Sequence, residues 1–121
     1  MKIIVYNSNG QYALSRKQVE ILKSVLPNEY FESVREFHIT HARNGSEVFE
    51  YQQTDKKVYF AFTVQEKTAE TTGNAVEELL IGLARIKSNT LWGKPIKLVE
   101  RDVYMEFVNS WKQKCINAIS H

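Results

Sequence analysis

Two periodicities sit close together in this chain, and no single element can hold both. Over residues 58–64, Val58, Phe60, Phe62 and Val64 alternate with Tyr59, Ala61 and Thr63. That is the period-two pattern of a strand with two distinct faces. Over residues 75–86, Val76, Leu79, Leu80, Leu83 and Ile86 recur at helical spacing and fall on one stripe. The chain therefore needs both kinds of structure. The stretch between them, QEKTAETTGN over 65–74, must end the strand and start the helix.

The remaining segments extend this pattern. Residues 2–6 form a short apolar run, expected as a buried strand, and Asn7-Ser8-Asn9-Gly10 is a loop signal. Ser15 with Gln18 three residues later is a capping-box pair, flanked by Leu14 and Val19 in the positions of a hydrophobic staple. Val19, Leu22 and Leu26 then form the inward face of a first helix, which Pro27 ends. Residues 28–32 suit a single helical turn. Phe37, Ile39 and His41 alternate with His38 and Thr40, a strand pattern followed by the tight-turn pair Asn44-Gly45. Residues 47–53 read as the next strand, with Phe49 and Tyr51 on one face, and Thr54-Asp55-Lys56 turns the chain back into 58–64.

These three strands are expected to form an antiparallel meander. Past the second helix, Ile96 and Leu98 suggest a short strand that Pro95 confines to an edge. Asp102 is expected to cap a last helix whose inward face is Tyr104, Phe107, Val108, Trp111, Cys115 and Ile119. The predicted fold class is α+β: a mixed sheet in the order β-α-β-β-β-α-(β)-α, with helices packed on it. The first strand and the strand after the first helix are expected to be parallel, joined by a right-handed crossover.

Composition bounds the function classes. A length of 121 residues without linkers or repeats reads as a single domain over 1–121. Sixteen basic residues against fourteen acidic ones give a net charge of +2, which argues against a nucleic-acid partner held by bulk charge. The lone Cys115 has no internal disulfide partner, as expected in a reducing compartment. The opening MKIIVYNSNG has an apolar run too short for a signal peptide, and no run reaches the ~18 residues of a membrane helix. A cytoplasmic location without a membrane contact is expected. Neither G-x-x-x-x-G-K-[ST] nor G-x-G-x-x-G occurs, so no cofactor is expected.

Several residues qualify as site candidates. A helix start in the 65–74 junction presents free amides that suit an anion, with Lys67, Thr68, Thr71, Thr72 and Asn74 as ligand-binding candidates. The same threonines suffice as caps, and Glu66 and Glu70 oppose an anion. His38 and His41 lie three apart on a strand, hence on opposite faces, so they do not converge on one metal. A basic cluster of Arg85, Lys87, Lys94, Lys97 and Arg101 surrounds Trp92, a pattern shared by phosphate-backbone binders and by ordinary solvated surface. Cys115 is expected to point inward as an inert thiol. Tyr51, Tyr59, Trp92 and Lys94 are candidates for an interaction surface.

The second helix, which follows a sheet and carries paired acids in VEELLIG, resembles the layout of zinc-peptidase helices. The H-E-x-x-H ligand positions are apolar or acidic here, so the resemblance implies at most a degenerate domain lacking the metal site. The expected function is a small binding domain engaging a protein partner or a second copy of itself. The alternative is a small-ligand binder, or an enzyme, using the 65–74 junction with His38 or His41 as a general base. A concave pocket joining that junction to a histidine favours the alternative; a flat apolar patch favours the partner surface.

Overall fold

Ser15 starts the first long helix by the chemistry its neighbours imply. The computed structural model describes residues 1–7, 11–42, 48–87 and 98–120, with the backbone alone over 98–103. Helix α1 spans Arg16–Val25. Ser15 Oγ accepts from the Gln18 amide at 3.2 Å, and Gln18 Oε1 accepts from the Ser15 amide at 2.9 Å. The box thus satisfies amides that the helix start would otherwise leave unpaired. Leu14 and Val19 are both fully buried. Ahead of Pro27, Leu26 is extended at ψ 153° and the helix stops. A single 3₁₀ turn, Asn28–Tyr30, follows.

The strands are β1 (Lys2–Val5), β2 (Gln11–Tyr12), β3 (Glu36–Ile39), β4 (Phe49–Gln52), β5 (Lys57–Phe60) and β6 (Thr63–Val64). The main sheet has the order β1-β3-β5-β4. As expected, β1 is parallel to β3. The predicted three-strand antiparallel meander does not form. β5 lies between β3 and β4, parallel to the first and antiparallel to the second, so only the β4–β5 hairpin remains. Alternation assigns side chains to faces but does not choose neighbours. Inserting β5 aligns Ile3, Phe37, Val58 and Tyr51 in one row of the core face, and Val5, Ile39, Phe60 and Phe49 in the next. Within these rows Val58 and Phe60 on the interior strand are completely buried, more so than Phe49 and Tyr51 on the edge strand.

The strand expected over 58–64 is split. At Ala61 the amide donates to the Val48 carbonyl at 2.8 Å, and the Phe62 carbonyl accepts from the Ala13 amide at 2.9 Å. β6 then pairs antiparallel with β2, so the chain leaves the main sheet and forms a two-stranded ribbon near the start of α1. The alternation continues through Ala61 and Phe62 and carries no sign of this break.

Helix α2 spans Ala69–Lys87 and α3 spans Leu98–Ile119. Both start earlier than the sequence suggests. Thr71, Thr72, Gly73 and Asn74 are helical, and Asp102 lies inside α3 instead of capping it. Of the strand expected around Ile96 and Leu98, Leu98 is helical and Ile96 lies outside the described residues. Residues 91–97, with Trp92, Lys94 and Pro95, lie outside the described residues, as does Asn44-Gly45.

Packing explains the longer α2. A Cβ on Gly73 would stand 3.7 Å from Ile116 Cδ1, and one turn later Glu77 pairs with Lys112 at 3.0 Å. These contacts hold α2 and α3 antiparallel, and they extend helix through residues of modest intrinsic propensity. Val76, Leu79, Leu80 and Leu83 are fully buried. Gly82 lies on the Phe49 ring, where an added Cβ would come within 2.5 Å. α1 and α2 pack on the sheet and α3 packs on both helices, giving an α+β fold with a mixed sheet. Among the described residues no helix is long and apolar enough to cross a membrane.

Candidate functional site

The parallel strands β1 and β3 end on the same side of the sheet, and the carboxyl end of parallel strands is where open sheets commonly bind ligands. A cleft of about 460 Å³ wraps the end of β1 there. Val5, Tyr6 and Asn7 form one wall, Gln11 and Tyr12 of β2 another. Ser15 and Arg16 at the start of α1 and Lys67, between β6 and α2, complete it. Val5 and Tyr6 are the exposed large hydrophobic residues among those described, each 43% accessible. Tyr12 holds the ribbon against β1 by donating its hydroxyl to the Tyr6 carbonyl at 2.7 Å.

Two cations line this cleft, and both are anchored by neutral groups. The Arg16 guanidinium donates through Nη2 to the Ile3 carbonyl, tying α1 to β1. Lys67 Nζ donates to Gln18 Oε1 at 2.6 Å. That oxygen also accepts from the Ser15 amide, so the capping box of α1 positions Lys67. Partial burial lowers the Lys67 pKa below the ordinary lysine value. Among the described residues no carboxylate lines the cleft, and the first turn of α1 contains no acid.

The histidines stand behind the cleft wall. His38 lies on the outer face of the sheet, in the row of Ile4, Tyr59 and Glu50. It is buried, with Nε2 3.0 Å from Glu36 Oε1 and Nδ1 3.1 Å from the Tyr6 hydroxyl. A neutral imidazole satisfies both partners when Nε2 carries the hydrogen and Nδ1 accepts from Tyr6. Its ring centroid is 4.7 Å from that of Tyr59, which covers it from β5. The hydrogen bond from His38 holds the Glu36 carboxyl below its ordinary pKa; Lys57 and Lys2 act in the same direction, against partial desolvation. Beyond the end of β3, His41 Nε2 is 2.8 Å from the Asn7 carbonyl oxygen, and its ring centroid is 6.2 Å from that of Tyr12.

The structure disperses most of the other candidates. Thr68 and Thr71 cap α2 reciprocally: the Thr71 amide donates to Thr68 Oγ1 at 3.1 Å, and the Thr68 amide to Thr71 Oγ1 at 2.9 Å. The Thr72 amide makes a helical bond to the Thr68 carbonyl at 3.0 Å, and Asn74 is exposed along the helix. None of these four lines the cleft; Lys67 alone represents the 65–74 junction there. Tyr51 lies on the core face, buried, donating its hydroxyl to the Ser33 carbonyl at 2.6 Å. It therefore does not share an outer surface with the half-buried Tyr59. Trp92 and Lys94 lie outside the described residues.

The remaining chemistry-bearing residues have structural surroundings. Lys87 pairs with Glu29 at 3.3 Å and lies over the Tyr30 ring, which stacks on Phe107. Cys115 is fully buried, and burial pushes its thiol pKa up to about 11. In VEELLIG, Val76, Leu79 and Leu80 face the core and Glu77 is held by Lys112. Among the described residues no three His, Cys, Asp or Glu side chains gather closely enough to hold a metal.

Sequence reasoning passed over Tyr6, Tyr12 and Arg16. Arg16 left one usable signal: a cation at the first helical position, with no acid in that turn, runs against the preference set by the helix dipole. The chain matches no protein-family model, no curated protein and no solved structure.

Proposed function

We propose that this domain binds a small molecule in the cleft at the end of β1. The observation that carries the reading is a concavity in which the two exposed apolar residues, Val5 and Tyr6, meet Tyr12 and two anchored cations. Apolar walls with a few placed polar groups are the usual composition of a ligand site, and about 460 Å³ falls within the size range of such sites. Lys67 brings the 65–74 junction to the cleft, while Tyr6 and Asn7 link its wall to His38 and His41.

Binding is favoured over catalysis because the reactive groups are already engaged. Ser15 Oγ caps α1, His38 is held between Glu36 and Tyr6, and the Cys115 thiol is buried. The thiol also fits a reducing compartment such as the cytoplasm. The likeness of α2 to a zinc-peptidase helix rests on the order of sheet and helix and on the paired acids of VEELLIG, without the histidine ligands.

A fragment titration of the full chain, followed through its backbone amides, tests the reading. Shifts should cluster at residues 5–7, 11–12 and 15–16, and disappear in Tyr12→Ala but not in Tyr59→Ala. The opposite finding would be no clustered shifts, with a sedimentation coefficient that rises with concentration until Tyr59→Ala abolishes the rise. That outcome would favour the partner-surface reading, with the outer face of the sheet as the contact.

A further inference from the structure

We infer that the cleft selects an organic anion, a carboxylate or phosphate carried on a planar ring, with Arg16 and Lys67 reading the charge and Tyr6 and Tyr12 facing the ring. This inference rests on the cleft being the binding site and names the chemistry it takes.

Arg16 and Lys67 reach the cleft from different elements, α1 and the β6–α2 connection. Each uses one donor on a neutral acceptor, the Ile3 carbonyl and the Gln18 side-chain oxygen respectively. A guanidinium has five N–H groups and an ammonium three, so both retain donors after these bonds. No carboxylate belongs to the described lining, so the charged side chains that line the cleft are both cations. A cationic ligand would be repelled, whereas an anion gains charge-assisted hydrogen bonds from side chains already held in place.

The lowered pKa of Lys67 agrees with this geometry. An ammonium partly removed from water without a counter-charge is the form that a bound anion would restabilise.

The two tyrosines favour a flat group whatever its charge. Tyr12 is fixed by its bond to the Tyr6 carbonyl, and Tyr6 by its bond to His38. Both residues line the cleft and both side chains have little freedom left to lose, which favours contact with a flat group.

The test titrates the full chain with benzoate, phenyl phosphate and neutral benzamide, again reading backbone amides. The anions should shift residues 5–7, 11–12 and 15–16 with at least tenfold lower Kd than benzamide. Lys67→Gln should weaken anion binding by about tenfold, equivalent to about 1.4 kcal/mol, and benzamide binding by much less. Anion affinity should also fall as pH rises through the lowered Lys67 pKa. Binding of only one anion identifies the headgroup as carboxylate or phosphate. Equal binding of benzamide and benzoate, unaffected by Lys67→Gln, overturns the charge assignment while leaving the cleft as the site. Absence of cleft shifts with all three probes defeats both readings.

Discussion

Helices α1 and α2 begin with the same device and lead to different surroundings. Each start is closed by a reciprocal pair three residues apart, Ser15 with Gln18 and Thr68 with Thr71. α2 has an acid, Glu70, in its first turn and then runs through the interior, where Gly73, Gly82 and four fully buried aliphatic residues set its distance from α3 and the sheet. α1 has no acid in its first turn; it begins with Arg16, and its cap is bonded to Lys67. One helix start is electrostatically compensated and continues into packing. The other gathers positive charge beside a cleft. The abundance of capping groups in 65–74 thus points to a helix start, while the departure from dipole preference at Arg16 points to the candidate site.

The largest test of this contrast is Gly82→Ala. A methyl at this position meets the body of the Phe49 ring, not the end of a flexible chain. The gain in helix propensity of about 1 kcal/mol is outweighed by overpacking, for a net loss of about 2–3 kcal/mol and a Tm drop of roughly 10 °C by thermal denaturation. Phe49→Leu in the same chain should recover part of that loss, since the two sites share one contact.

The caps should separate the two helices next. Ser15→Ala and Thr68→Ala should each cost about 1 kcal/mol in chemical denaturation. Only Ser15→Ala should also alter ligand binding at the cleft, because Gln18 links that cap to Lys67. Equal effects of both substitutions on binding would remove the distinction between the helix starts.

The smallest expected effect concerns Glu36 and the acid limb of stability. Its pKa is lowered in the folded state, so its contribution is present above the ordinary carboxylate value and is lost as pH falls through the lowered one. Glu36→Gln should flatten the stability profile in that acid window, lowering stability slightly above it and leaving stability unchanged below it. Denaturation midpoints measured from pH 7 downward would show it. An unchanged acid limb would mean that the Glu36–His38 bond contributes nothing to folding.

Features written in neighbouring residues were readable from sequence. The Ser15–Gln18 box, the stop at Pro27 and the inward faces of all three helices follow from local spacing, and the structure contains them. Features decided by distant partners were not. Alternation in β3, β4 and β5 could not reveal that β5 pairs with both others, nor that the chain changes sheets at Ala61. Thr71, Thr72, Gly73 and Asn74 look like the end of a loop by propensity, but close packing against α3 makes them helix. For the site, Lys67 was visible among the 65–74 candidates. Arg16, Tyr6 and Tyr12 reach it through the β2–β6 ribbon and the end of β1, which only the tertiary fold brings together.

The bond from Arg16 to Ile3 also bears on how the molecule avoids its own kind. β1 is an edge of the main sheet, and Lys2 and Tyr6 direct their amides to β3, so Ile3 presents its carbonyl outward. An open strand edge is a template on which other chains can add and aggregate. Arg16 occupies that carbonyl and brings charge to the rim. Its guanidinium thus covers one acceptor of that edge, so a change at this one position opens the edge as well as altering the cleft.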